Sequence, residues 1–217
     1  MVRFASASAG IVYALLAGVQ SPGYAAGATS PAVSDQTAPI PESSPIPVKG
    51  SVAAPDGFVA FCKRDPGQCP TAAAPLAVVH LDAGTWQTLL RVNAAWNEAI
   101  TPMEDSAHYG VVDYWTIPVD GYGDCEDYAL AKRKSLRDLG LPAGSLRMAV
   151  VRMRSGAAHA VLTVATDRGD YVLDNLRADV LPWSATDYAW IAGEIPGQAH
   201  WAAIAAETAL LPTAQIR

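Results

Sequence analysis

Cys125 sits in the run Gly123-Asp124-Cys125-Glu126-Asp127, at the predicted start of a helix. Unpaired N–H groups and the helix dipole at such a position favour a thiolate and lower the thiol pKa. The same N–H groups can serve an oxyanion hole. Gly121 and Gly123 let the backbone turn sharply just before it. The flanking acids push the thiol the other way, so a cationic imidazole nearby is required. A buried, inert thiol is the plain alternative, because free cysteine packs as a small hydrophobe.

Four histidines are available: His80, His108, His159 and His200. His159 alone opens a strongly patterned strand, with small residues around it in Gly156-Ala157-Ala158-His159-Ala160-Val161-Leu162. Asp174 closes the next apolar stretch, Tyr171-Val172-Leu173-Asp174-Asn175, 15 residues on. A hairpin centred near residue 167 sets the two side by side. The turn residues Arg168-Gly169-Asp170 centre slightly later, so an offset or a bulge is expected. An aspartate so placed accepts from one ring nitrogen and holds the other toward a sulfur. The chemistry this predicts is acyl transfer through a thioester. The backbone N–H of Cys125 and a donor from the preceding loop, the Trp115 indole, are the oxyanion candidates.

The other two cysteines, Cys62 and Cys69, flank Asp65-Pro66-Gly67, which can turn the chain back on itself. In an oxidising compartment they form a small-loop disulfide. The rival is zinc, but a two-cysteine site needs two further soft or imidazole ligands and only His80 is near.

Two helices and three strands must position these groups. Trp86 to Ile100 carries apolar residues at helical spacing, and a second helix runs from Cys125 to Leu139 before Gly140 and Pro142. Between them lies a loop from Pro102 to Gly123. Leu146–Met153, Ala158–Thr166 and Tyr171–Leu176 read as strands. From Trp183 onward, with Trp190 and Trp201, the pattern is irregular. Helices followed by an antiparallel sheet predict an α+β class. Lys132-Arg133-Lys134 reads as a solvated helix face, too short for a nucleic-acid stripe. The net charge of −6 points the same way.

At the N-terminus, Arg3 precedes an apolar stretch, Ala9 to Val19, then Pro22 and the small-residue site Gly23-Tyr24-Ala25. This is a signal peptide over residues 1–26, with an uncleaved anchor as the alternative. The stretch falls short of the roughly 20 residues a spanning helix needs. Export without a second span predicts a periplasmic or exterior protein. Residues 27–54, rich in Pro, Ala, Ser and Thr and free of aromatics, read as a disordered linker. The folded domain is expected over 55–217.

Over roughly residues 55 to 195 the chain resembles the bacterial transglutaminase-like cysteine peptidases. The segments that carry the likeness are Gly123-Asp124-Cys125-Glu126-Asp127-Tyr128-Ala129-Leu130, His159-Ala160-Val161-Leu162 and Tyr171-Val172-Leu173-Asp174-Asn175. Phe61-Cys62 with Cys69, Val92-Asn93 and Tyr114-Trp115 add to it. The resemblance implies a papain-like fold and Cys125, His159 and Asp174 as the triad. Its best-understood branch is periplasmic, clips large surface adhesins to release bacteria from a biofilm, and is restrained by an inner-membrane cyclic-di-GMP receptor. That branch uses calcium, held by acids near the cysteine, here Asp124 and Glu126. Calcium takes six to eight oxygens, so further ligands would come from Glu104 or Asp105. The Ala-rich tail after Trp190 has no counterpart in the resemblance. The same residues allow two other readings: a transglutaminase or amidase, or a non-catalytic, calcium-dependent binding module.

Overall fold

The computed structural model describes residues 39–69, 77–195 and 200–205. The signal-peptide reading of residues 1–26 lies outside them. Among the described residues no helix is long and apolar enough to cross a membrane.

The chain forms strand β1 (Val48–Val52), helix α1 (Asp56–Arg64), helix α2 (Ala83–Ala99), a short strand β2 (Thr101–Pro102) and a single helical turn, α3 (Asp105–His108). Strand β3 (Tyr122–Gly123) and helix α4 (Cys125–Asp138) follow. Six strands then complete the chain: β4 (Leu146–Arg152), β5 (Ala158–Thr166), β6 (Gly169–Leu173), β7 (Leu181–Pro182), β8 (Ala189–Glu194) and β9 (Trp201–Ile204). Seven of the strands make one sheet in the order β1-β9-β8-β4-β5-β6-β7, with every pairing antiparallel. Strands β2 and β3 pair separately, in parallel.

Helix α2 begins where Asp82 accepts from Thr85 N at 2.7 Å, an N-cap that satisfies one of the otherwise open donors. Helices α2 and α4 lie on one face of the sheet, and Trp86, Leu89, Leu130 and Leu136 meet Met148, Leu162 and Leu173 there. The opposite face is apolar as well, through Val151, Val161, Val172 and Trp190. That is why β5 is buried from His159 onward instead of alternating between core and solvent. The arrangement is α+β, as the order of patterns predicts.

Residues 39–54 depart from the linker reading. Prolines hold the strap extended and bring no N–H that needs a partner. The groups that do need one find it on β6: Ile46 N donates to Asp170 Oδ2 at 2.6 Å, and the Tyr171 hydroxyl donates to Pro41 O at 2.6 Å. Gly169, at φ +103°, makes the crossing feasible, because a Cβ there would lie 2.4 Å from Ser44 N. Strand β1 continues the strap and pairs with β9, so the segment belongs to the domain.

The basic cluster on α4 also departs from expectation. Lys132 is wholly buried, and Arg133 is buried 3.1 Å from Glu194 on β8. Nothing in a Lys-Arg-Lys run marks which residue faces the sheet. Here the helix turns Lys132 and Arg133 inward over the sheet, while Lys134 stays partly exposed and pairs with Asp138.

Candidate active site

Helix α4 starts at Cys125, after an extended Asp124. The sulfur accepts from Ala160 N, on β5, at 3.4 Å. It therefore lies beside the first residues of that strand, where His159 stands. His159 Nε2 and Asp174 Oδ1 are 2.9 Å apart, and both side chains are buried. The β5–β6 register pairs Leu162 with Leu173 and Thr166 with Gly169. Asp174 would thus fall opposite Val161, not His159. Strand β6 ends at Leu173, and the freed Asp174 reaches the imidazole across the offset. Cys125, His159, Asn97, Asn175, Met103 and Met153 are among the residues lining one cleft of about 510 Å³. Asn97 donates to the carbonyls of Asp174 and Arg177 at 2.9 Å each, which pins the turn after β6 to α2.

The acids around the cysteine divide into two groups. Glu126 turns to the sulfur, with Cys125 Sγ 3.1 Å from its Oε2. Burial first, then the hydrogen bond and charge of Asp124, push the Glu126 carboxyl up to about 9. Burial, followed by the charge of Glu126, pushes the Cys125 thiol far above its usual range. The lowering expected from the helix start alone is thus outweighed in this arrangement.

The second group is Asp105, Asp124 and Asp127, each offering an oxygen within 4.8 Å of the others. Asp127 Oδ1 accepts from Thr116 N at 2.8 Å, and Asp105 Oδ2 accepts from Tyr114 N. The remaining oxygens, Asp105 Oδ1 and Asp127 Oδ2, are buried and have no hydrogen-bond partner among the described residues, as is Asp124 Oδ1. A Cβ on Gly123 would lie 2.7 Å from Asp127 Oδ2, so glycine leaves that side of the cluster open. Burial, with the charges of Asp124 and Asp105, pushes Asp127 up to about 8, and burial raises Asp124 as well. Three hard, buried oxygens without a hydrogen-bond partner among the described residues fit a divalent cation. Of the two acids assigned from sequence, Asp124 belongs to this set, and Glu126 adjoins it, hydrogen-bonded to Asp124 and within 4.8 Å of it and the Cys125 sulfur.

Trp115 does not serve as an oxyanion donor. Its indole N–H donates to Asp113 Oδ1 at 2.7 Å, and its ring is buried against Phe58. The loop folds the indole into the core under α1, away from the cleft. Cys62 and Cys69 form the disulfide, with their Cα atoms 5.6 Å apart. Two residues around the dyad have no separate signal in the sequence. Tyr188 donates to Asp174 Oδ2 at 2.5 Å, and burial lowers Lys132 to about 7, opposed by the charge of Asp174.

The model of the bacterial transglutaminase-like cysteine proteinases matches residues 48–209. Comparison with curated proteins finds no match. Among solved structures, Legionella pneumophila LapG is similar. Its calcium-bound form is 29% identical with a TM-score of 0.45, over 50% of this chain and 64% of LapG. Its EGTA-treated form is 31% identical with a TM-score of 0.44, over 49% and 61%. The likeness therefore spans less than two thirds of LapG's length. With the family model matched from β1 through the last strand, the chain belongs to the bacterial transglutaminase-like cysteine proteinase family and carries its α+β, papain-like fold.

Proposed function

We propose that this protein is an exported cysteine peptidase in which Cys125 attacks a peptide carbonyl, His159 moves the proton and Asp174 orients the ring. The observation that carries this reading is the buried His159–Asp174 bond at 2.9 Å, set on the strand whose next residue donates to the Cys125 sulfur at 3.4 Å. With Nε2 engaged by Asp174, Nδ1 is left to exchange a proton with the thiol. The thiolate adds to the carbonyl, and the developing oxyanion is met by the Cys125 backbone N–H at the helix start. His159 protonates the leaving amine, then takes a proton from water, which hydrolyses the thioester.

Asp105, Asp124 and Asp127 would hold a calcium ion, with the rest of its six to eight oxygens coming from backbone or water. A cation bound there would neutralise the acids behind Cys125 and so remove part of what keeps the thiol protonated. The resemblance extends the proposal to a surface adhesin as substrate, to an inner-membrane cyclic-di-GMP receptor as partner, and to the periplasm as location.

The test compares the surface proteome of cells carrying wild type with that of cells carrying Cys125→Ala. The expected result is a shed protein in the wild type that stays attached in the variant. Incubation with a labelled amine and a glutamine donor separates the transglutaminase reading, since incorporation without cleavage overturns peptidase action. Iodoacetamide labelling near neutral pH separates the binding-module reading. A Cys125 that reacts no faster than a free thiol is not a nucleophile.

A further inference from the structure

Asp174 leaves β6 with both carboxylate oxygens engaged. Oδ1 accepts from His159 Nε2 at 2.9 Å and from Leu176 N at 3.0 Å. Oδ2 accepts from the Tyr188 hydroxyl at 2.5 Å. The Tyr188 ring lies 5.7 Å from the His159 ring, tilted by 60°. One side chain therefore reaches both members of the dyad, hydroxyl to the acid and ring to the imidazole.

Tyr188 is held independently of the cleft. Its neighbour Asp187 is bound by Arg177 at 2.7 Å and by Arg154 at 3.1 Å. The Arg177 guanidinium stands 6.0 Å from the Tyr188 ring centroid. Thr186 closes the preceding turn by donating to Trp183 O at 2.7 Å. A phenol anchored this way presents a fixed donor to a carboxylate that is itself 2% exposed. A buried carboxylate oxygen without a donor is costly, so the hydroxyl's effect falls on the charge state and orientation of Asp174.

We propose that Tyr188 is a positioning residue for the reaction: it locks Asp174 in the orientation that holds His159, and its ring covers the His159–Asp174 bond. This rests on the reading of Cys125, His159 and Asp174 given above. Three titratable groups face Asp174: His159 from β5, Tyr188 from the segment before β8 and Lys132 from α4. Burial pushes the Asp174 carboxyl up, but the hydrogen bonds from His159 and Tyr188 outweigh it and hold it below the usual carboxylate range. Losing the Tyr188 bond lets Asp174 take a proton at higher pH. The acid limb of Cys125 reactivity then moves toward neutrality.

The experiment follows alkylation of Cys125 by iodoacetamide against pH in the full-length protein, for wild type, Tyr188→Phe, Asp174→Asn and the double variant. Tyr188→Phe keeps the ring and removes only the donor. Its rate near neutral pH is expected to fall about tenfold, with the acid limb displaced toward neutral pH. Because Tyr188 acts through Asp174, adding it to Asp174→Asn is expected to cost little more. A Tyr188→Phe profile that overlays wild type overturns the proposal, as does a double variant in which the two losses multiply. If wild-type Cys125 reacts only as a free thiol, the catalytic reading itself fails and takes this one with it. If Tyr188→Phe does not fold, the coupling is read from the other side. The Tyr188 ¹³Cζ resonance is expected to shift in Asp174→Asn, and an unmoved resonance overturns the proposal.

Discussion

Asp127 is wholly buried with one oxygen tied to the 116 amide and the other open. Its carboxyl titrates near 3.8 when unfolded and is raised to about 8 in the fold, by burial first and then by its acidic neighbours. Between those values the unfolded chain has released a proton that the folded protein still holds. The stability that Asp127 contributes is therefore fully present in acid and is lost as pH rises toward 8. In EGTA, Tm is expected to drop from about pH 5 to about pH 8, with a shallower drop in Asp127→Asn. Glu126 and Asp124, also raised, keep the slope from vanishing. Calcium is expected to restore the wild-type Tm at pH 8 and to do little for Asp127→Asn, as read by differential scanning fluorimetry. At this scale the sequence was most legible where residue types are rare. One unpaired cysteine at a helix start, one histidine opening a strand and one aspartate closing the next could be picked out from 217 residues. Asp105 was legible as one of two candidate further ligands in the loop, beside Glu104, and Tyr188 not at all. Their roles depend on which segments meet in space.

Helix α4 shows what an element adds to its residues. Arg133 and Glu194 pair across to β8 at 3.1 Å, both buried, and Glu194 also accepts from Met148 N at 2.7 Å. The Arg133 contact is a charge pair without hydrogen-bond alignment. Glu194→Ala leaves a buried guanidinium alone and is expected to cost about 3 kcal/mol in urea unfolding, while Arg133→Met with Glu194→Gln costs far less. Periodicity placed α2, α4 and strands β4 to β6 to within a few residues. It failed at β1, β8 and β9. Val48–Val52 adjoins a proline-rich strap, and Trp201-Ala202-Ala203-Ile204 is too short and too rich in alanine to read as a strand. Those strands exist because partner edges are waiting for them, and a local pattern does not encode a partner. The Lys132-Arg133-Lys134 run misled for the same reason, since its surroundings, and not its composition, decide its burial.

Across the whole molecule, β1 near the front of the chain pairs with β9 near its end, Val48 opposite Ile204. Closing that contact costs loop entropy that only the finished sheet recovers. A chain stopped before Trp201 loses β9, leaves β1 without its neighbour and uncovers the buried Trp201 site against Phe58. Such a chain is expected to be cleared rapidly by added trypsin under conditions that leave the full chain intact. The same pairing has a practical meaning. Strand β1 stands on one flank of the sheet four strand spacings, or about 19 Å, from β5, and β9 three, or about 14 Å, while the strap ahead of β1 runs back across to β6. A purification tag or surface tether joined beyond β9 should load that flank and leave the mouth where sulfur and imidazole meet clear, whereas one carried by the strap enters beside β6, the strand that ends next to Asp174.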